Sequence, residues 1–415
     1  MRGNGWKFAL GGALFRPIQS LLTTSSEGDS PEKKLSTFGF RLVRVKKGTV
    51  VERGTSICSS ASCSQILLPT SSFDCALSFP TDCADKEYVQ IGDPFNPPDV
   101  VYGGFGRVNY VFEMARYALT NREYADFLNA VAKASDPFGL FHKDMQSGIL
   151  GGIERRESAE GWNYLTKEGW SGKPVVYINY CSLARYANWL HYGCPRTGRS
   201  EEGTTEGTDT QGAYDTRFFE EVCAGRKKVW RQFGFRNKDA RYWIPNANEW
   251  YKAAYYDPEK VSWHKYWEYP TRSSAPPDNK PSAPAPAANY EKAEAFGIGS
   301  PYYLADVQGY ESSKSYYGTV QQGGNVWEWI EDWAQGRVGQ WSLRGGSFGY
   351  TEFGLHACNT DPAGLNDRSY VFGGRLARAV SQDGWRPVPT PLIMRLKEVV
   401  HAIRYLKLSI IRLYT

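Results

Sequence analysis

The segment from Gly323 to Phe348 contains the residues whose types and spacing could do chemistry. Its first eleven residues hold three tryptophans and three carboxylates, namely Trp327, Trp329, Trp333, Glu328, Glu331 and Asp332. Carboxylate and carbonyl oxygens are the ligands that hard cations such as Ca²⁺ prefer. The pattern therefore predicts a loop-rich site around such an ion, or else a packed aromatic core whose acids face solvent.

Composition and charge limit the class of protein. The chain has 415 residues, of which 41% are hydrophobic and 15% aromatic, and its net charge is only +5. The basic residues are scattered, apart from Arg226–Lys228 and the far C-terminus, so we expect no nucleic-acid partner. No run in the sequence reaches the roughly 18 apolar residues of a membrane-spanning helix.

The cysteines do not form a recognisable metal or redox motif. There are eight of them, and no two have the C-x-x-C spacing. Four lie near the N-terminus, and they form disulfides if the protein is exported or stay free if they belong to an unstructured leader: Cys58, Cys63, Cys75 and Cys83. The first twenty residues imitate a signal peptide, which favours export, but they lack a clean cleavage site.

Three regions follow from the change of character along the chain. Residues 1–86 are rich in Ser and Cys and predict a poorly ordered leader, whereas residues 87–381 read as a domain. Within that domain, Thr120 followed three residues later by Glu123 predicts a capping box at the start of a helix over 122–134. Apolar periodicity predicts two more helices over 182–191 and 248–256, and a buried strand is expected over 173–178. Residues 389–415 predict a basic amphipathic helix that contacts its own domain, a partner or a membrane surface.

Four segments, in order, resemble the formylglycine-generating-enzyme family, whose domain is also called the sulfatase-modifying-factor domain. They are 117–128 (YALTNREYADFL), 174–190 (PVVYINYCSLARYANWL), 242–254 (YWIPNANEWYKAA), and 324–329 (GNVWEW) followed by 344–348 (RGGSF). Ordered agreement over four blocks is far more specific than any one motif. The resemblance implies an α+β, C-type-lectin-like fold with long loops and little regular secondary structure.

The resemblance also implies what the chain lacks. Family oxidases convert a sulfatase cysteine to formylglycine with copper and oxygen, and they hold copper with two cysteines after the Gly-Gly-Ser block. Those positions fall here on Tyr350 and Leu355, neither of which offers the soft thiolate that Cu(I) selects. We therefore expect no copper. Cys358 and Ser347 are the remaining catalytic candidates, and a rearranged site would use Cys358 with His356.

The calcium site of the family matches this sequence better than the copper site does. The positions that look similar to its ligands are Gln321, Gly324, Val326 and Glu328, which would supply two side-chain oxygens and two backbone carbonyls. Such an all-oxygen set suits Ca²⁺. Gln321 replaces the usual Asn and is longer by one methylene. The alternative is that Glu328 only caps backbone amides in the loop.

The function expected from these features is a calcium-stabilised module that binds a protein or peptide, with carbohydrate as another ligand class, and performs no oxidase chemistry. Its binding groove would be lined by Trp327, Trp341, Phe348 and Tyr350, because rigid rings are enriched at interfaces. Two alternatives stay open. One is a protein-cysteine oxidase acting on sulfatases, and the other is a structural or surface-anchored interaction protein.

Overall fold

The computed structural model describes residues 87–201, 203–223, 234–334 and 340–380. In these ranges, two four-stranded sheets, two short hairpins and six helices are joined by long irregular segments. The expected leader, the C-terminal helix, the four N-terminal cysteines and Arg226–Lys228 all lie outside the described residues. The proposed domain boundaries therefore stay a prediction.

The first sheet joins the two ends of the described chain. Its order is β1-β2-β12-β5, and its strands are Tyr88–Ile91, Phe112–Ala115, Ala377–Arg378 and Tyr242–Trp243. All three pairings are antiparallel, with Tyr88 opposite Ala115 and Ala377 opposite Met114. Strand β2 therefore lies between the first and the last strand of the domain.

The second sheet carries the Trp-Glu-Trp segment. Its order is β10-β9-β8-β11, and its strands are Asp361–Ala363, Trp341–Arg344, Trp327–Trp333 and Phe372–Gly373. β8 is antiparallel to β9 with an irregularity between Trp329 and Trp333, and it is parallel to β11. The first five residues of β8 are all buried, as expected for a strand that is covered on both faces.

The described ranges contain six helices: α1 Asn121–Val131, α2 Asp144–Ser147, α3 Tyr180–His191, α4 Phe219–Cys223, α5 Ala247–Tyr255 and α6 Glu352–Leu355. The predicted capping box at α1 is confirmed, since the Glu123 amide donates to Thr120 Oγ1 at 3.2 Å and the Thr120 amide donates to Glu123 Oε2 at 2.7 Å. Asn246 and Glu249 cap α5 in the same way. Caps of this kind satisfy amides that the first helical turn leaves free.

The remaining regular elements are small. They are the hairpin of β3 (Ile153–Ser158) with β4 (Gly161–Thr166), the hairpin of β6 (Glu291–Lys292) with β7 (Ala295–Phe296), and a 3₁₀ turn at Glu311–Ser313. The α+β fold with few helices and long loops is confirmed. No helix within the described ranges has the length and apolar character needed to cross a bilayer.

The predicted strand over 173–178 is wrong, although its burial is right. The Val175 amide donates to the Leu119 carbonyl at 2.8 Å, whereas the Tyr177 amide donates to the Ser369 carbonyl at 3.0 Å. Tyr177 has a φ of +62°, which an extended strand does not allow. The segment is therefore a buried connection whose amides bond to two different partners, and periodicity cannot distinguish it from a strand.

Candidate functional site

The acids of the Trp-Glu-Trp segment point into the protein. Glu328 and Arg375 are both fully buried. Arg375 Nη2 donates to Glu328 Oε1 at 2.9 Å and Arg375 Nε lies 3.1 Å from both carboxylate oxygens. Trp250 Nε1 donates to Glu328 Oε2 at 2.7 Å. The sequence had predicted either a cation site or acids that face solvent. The structure instead shows a Glu328 carboxylate that is buried and paired with Arg375.

Arg375 also connects the two sheets. Its Nη1 donates to the Ala115 carbonyl in β2 at 2.8 Å, and its Nη2 donates to the Val320 carbonyl at 2.9 Å. Because Glu328 belongs to β8, the ion pair joins one sheet to the other. Removing one partner of a buried pair leaves an uncompensated charge, so this pair has a structural role.

A second buried cluster places two carboxylates on one guanidinium. Arg236 Nη1 and Nη2 donate to the two oxygens of Glu249 at 2.9 and 2.8 Å. Arg236 Nη1 also lies 3.1 Å from Glu331 Oε2, and all three side chains are at most 1% exposed. Burial raises the pKa of the Glu331 carboxyl to about 8, against the opposing effect of Arg236. Glu331 is therefore mostly protonated at neutral pH, which leaves one negative charge for one positive charge.

The predicted calcium ligands lie on a turn with unusual backbone. Gln321, Gly324 and Asn325 have φ values of +52°, +80° and +63°. A Cβ at Gly324 would lie 2.3 Å from the Asn289 carbonyl oxygen, so only glycine fits there. The Asn325 side chain accepts from the Asn289 side chain and the Ala305 amide, both at 3.1 Å. The turn is therefore held rigidly.

The oxygen donors of this turn fit a cation only in part. Gln321 Oε1 is buried without a hydrogen-bond partner, while Gln321 Nε2 donates to the Asp306 carbonyl at 2.8 Å. In contrast, Arg375 and Trp250 occupy both oxygens of Glu328. A cation would have to share that carboxylate with a guanidinium. Among the described residues, no three His, Cys, Asp or Glu side chains are grouped to hold a metal.

The family resemblance places the two copper thiolates at the positions of Tyr350 and Leu355. These two residues differ in solvent exposure. Tyr350 is 41% exposed and Leu355 is fully buried. Ser347 is also fully buried, and its Oγ has no hydrogen-bond partner, so a substrate cannot reach it in this arrangement. Ser347 is thereby corrected from a candidate nucleophile to an interior residue.

Cys358 is a free cysteine, and it is exposed. Cys181 and Cys194 are both disulfide-bonded. Neither can therefore supply the second thiolate that a Cu(I) site based on Cys358 would need.

The predicted groove residues separate into core and surface. Trp327 and Trp341 are fully buried, so they belong to the core. Their assignment to the binding groove was therefore wrong. Each is a strand residue of the second sheet, where the covered faces leave no room for a ligand. Tyr350 packs edge-on against Trp327 at 5.2 Å between ring centroids and remains partly exposed.

Phe348 instead forms the floor of an exposed ring cluster. Its ring centroid lies 6.0 Å from Phe296, 5.8 Å from Tyr303 and 6.4 Å from Tyr370. Phe296 is 36% exposed and Tyr370 is 46% exposed. The Glu291 amide donates to the Tyr350 carbonyl at 3.0 Å, which ties Tyr350 to the hairpin that carries Phe296. We call these five rings the aromatic surface: Phe296, Tyr303, Phe348, Tyr350 and Tyr370.

The chain is similar to one family model and to several solved structures. The family model described as the sulfatase-modifying factor enzyme 1-like domain matches residues 107–380. Among solved structures, CarF is 16% identical with a TM-score of 0.42, covering 71% of this chain and 98% of its own. PvdO from Pseudomonas aeruginosa is 17% identical with a TM-score of 0.33, covering 71% of this chain and 92% of its own. The search of curated proteins returned no match.

Proposed function

The chain belongs to the sulfatase-modifying factor enzyme 1-like family, and on that premise we propose that it binds a peptide on its aromatic surface without copper oxidase chemistry. The observation that carries the proposal is the pair Tyr350 and Leu355, a phenol and an alkyl chain at the positions where family oxidases keep thiolates. Without a thiolate pair, the domain retains a scaffold for recognition.

The aromatic surface has the properties of a contact area. Four of its rings pack together around Phe348, and Tyr350 packs against Trp327. Little side-chain freedom is therefore lost when a ligand covers them. Tyr350 and Tyr370 each expose a large apolar face together with a hydroxyl, and tyrosine is enriched at interfaces for that reason. An extended peptide would lie across Phe296, Tyr350 and Tyr370, with Phe348 beneath Phe296 and Tyr370 and with Trp327 beneath Tyr350.

One experiment separates a binder from an oxidase. The full chain is mixed with a fluorescent Cys-x-Pro-x-Arg peptide, and binding is followed by anisotropy. The same mixture is then given Cu(I) and oxygen, and the peptide is examined by mass spectrometry. We expect binding without the mass loss that accompanies conversion of a thiol to an aldehyde. Formylglycine in that peptide would contradict the proposal.

Matched variants locate the binding surface. Tyr370→Ala removes an exposed ring of the aromatic surface and should weaken binding about tenfold, the cost of one interfacial anchor of roughly 1–2 kcal/mol. Trp263→Ala removes a ring that is 79% exposed and lies outside the aromatic surface, so it should leave binding unchanged. Equal effects of the two substitutions would exclude this surface.

We also propose that Ca²⁺ stabilises the turn from Gln321 to Glu328. The buried Gln321 Oε1 without a partner supports this proposal, because an orphaned buried oxygen is costly unless a cation or a donor satisfies it. The Gly324 and Val326 carbonyls would complete the set, and Glu328 would contribute while still bonded to Arg375. In this proposal the ion takes part in no reaction, and its only role would be to make the turn rigid.

A further inference from the structure

Three side chains with the chemistry of a nucleophilic site lie in a row outside the aromatic surface. The Cys358 sulfur lies 3.0 Å from His356 Nδ1. On the other side of the ring, His356 Nε2 lies 3.4 Å from Glu268 Oε2. Cys358 is free and exposed, whereas the His356 side chain is only 15% exposed. Each imidazole nitrogen therefore faces a different partner.

The backbone fixes which nitrogen of His356 carries the proton. The Cys358 amide donates to His356 Nδ1 at 3.2 Å. Nδ1 must then be an acceptor, so the proton of the neutral ring lies on Nε2 and points to Glu268. In this tautomer the one lone pair of Nδ1 faces both the Cys358 amide and the Cys358 thiol. Nδ1 acts as the base when the thiol proton takes the place of the amide, and the carboxylate orients the ring. Burial raises the pKa of the Cys358 thiol, so attack requires such a base.

The segment that carries this row is held from several sides. The Ala357 amide donates to the Glu268 carbonyl at 2.9 Å, which fixes the acid beside the histidine. The Tyr102 ring packs edge-on against His356 at 5.0 Å. Arg344 Nη1 donates to the Ala357 carbonyl at 3.2 Å. Preorganised groups lose little freedom during a reaction.

Cys358 also lines a cleft of about 340 Å³ that contains an unusual cation. Arg344 lines the same cleft and is 1% exposed. Its Nε has no hydrogen-bond partner, and its Nη1 bonds only to the carbonyls of Ala357 and Asn359. Asp332 is the carboxylate of the cleft lining; burial raises its pKa, while the Trp333 amide and Arg344 act in the opposite direction. The unpartnered Nε is a donor from which an anionic group in the cleft can accept a charge-assisted hydrogen bond.

We propose that Cys358, His356 and Glu268 form an acyl-transfer site, and that its substrate is a small ester or thioester with a negatively charged group for Arg344. The Cys358 sulfur attacks the carbonyl carbon while its proton passes to His356 Nδ1. The bond from carbon to the leaving oxygen or sulfur breaks, and His356 returns the proton to the leaving group. Water then attacks the carbonyl carbon of the new thioester and gives a proton to His356 Nδ1. The bond from carbon to the Cys358 sulfur breaks, the acid is released, and His356 returns the proton to the sulfur.

The three side chains of the row do not converge on one metal ion. The two imidazole nitrogens face opposite directions, so the sulfur and the carboxylate cannot converge with one of them on a single ion. This agrees with the absence of any metal-holding group of such side chains in the described ranges. The activity is independent of peptide binding, because none of its residues belongs to the aromatic surface.

The test uses the full chain with two chromogenic probes, mono-4-nitrophenyl succinate and 4-nitrophenyl acetate. We expect succinate to be transferred to Cys358, identified by peptide mass spectrometry, at least ten times faster than to N-acetylcysteine at the same pH. The succinate-to-acetate rate ratio should exceed that of N-acetylcysteine. Nitrophenolate should continue to form beyond one equivalent per chain. Labelling of other cysteines alone, or release that stops at one equivalent, would overturn the acyl-transfer role.

Variants separate chemistry from folding. Cys358→Ala should abolish labelling. His356→Gln should slow it by about a hundredfold, as loss of a general base does, with the near-UV circular dichroism unchanged. Glu268→Gln acts through His356, so it should lower the rate less and shift the pH profile. An unchanged rate in His356→Gln, or a succinate preference no greater than that of N-acetylcysteine, would refute the assignment.

Discussion

Glu331 provides the sharpest test of how this core is built. The carboxyl shares the Arg236 guanidinium with Glu249, and burial raises its pKa from 4.5 to about 8. A carboxyl whose pKa is higher in the folded state binds its proton more tightly there than in the unfolded chain. It therefore contributes full stability below pH 4.5, and that contribution is lost as the pH rises towards 8.

The magnitude follows from linkage. Each pH unit within that interval costs about 1.4 kcal/mol of unfolding free energy. Crossing the whole interval costs about 5 kcal/mol, and the step from pH 6 to pH 9 costs about 3 kcal/mol. Glutamine has the shape of the protonated acid, so Glu331→Gln should keep the low-pH stability and lose this part of the pH dependence.

Urea unfolding of both proteins between pH 5 and pH 9 measures the effect. The informative quantity is the difference between wild type and Glu331→Gln, because titrating groups away from the Arg236 cluster contribute equally to both. Glu157→Gln, a substitution at an exposed carboxylate, is the matched control and should follow wild type at every pH. Parallel pH profiles for wild type and Glu331→Gln would show that Glu331 is ionised in the fold, which refutes the reasoning.

Three further outcomes are expected. Arg375→Met leaves the buried Glu328 carboxylate unpaired and should lower the unfolding free energy by about 3–5 kcal/mol in urea; a loss below about 1 kcal/mol would contradict a structural role for the pair. Thr120→Ala removes one half of the capping box and should cost about 1 kcal/mol in the same assay. Millimolar Ca²⁺ should raise the melting temperature of wild type more than that of Gln321→Ala. If EDTA does not change the melting curve of wild type, the proposal that Ca²⁺ stabilises the turn is wrong.

Local signals in the sequence predicted the helices well. The pattern Thr120 to Glu123 needs only residues three apart, and the structure shows the capping box that it predicts. The family resemblance could also be recognised from the sequence, because the four segments match the family in residue type and in their order along the chain. The strand over 173–178 failed because the partners of its amides, Leu119 and Ser369, are chosen by the tertiary fold.

The sites could be predicted only in part, because their partners are far apart along the chain. Glu328 was singled out, but its guanidinium partner lies 47 residues away, and no local rule pairs them. His356 and Cys358 are neighbours in sequence, yet Glu268, which orients the imidazole, comes from a distant loop. Phe296 likewise belongs to a hairpin without a motif of its own.

Strand β2 is flanked by β1 on one side and β12 on the other. Two strand spacings amount to roughly 10 Å, so the entry and exit points of the domain are close neighbours on one sheet. A linker of roughly five residues would span this distance. The chain could therefore be circularly permuted, with its new termini in a surface loop. The same closeness would let the whole domain be spliced into a loop of a host protein without forcing the host ends apart.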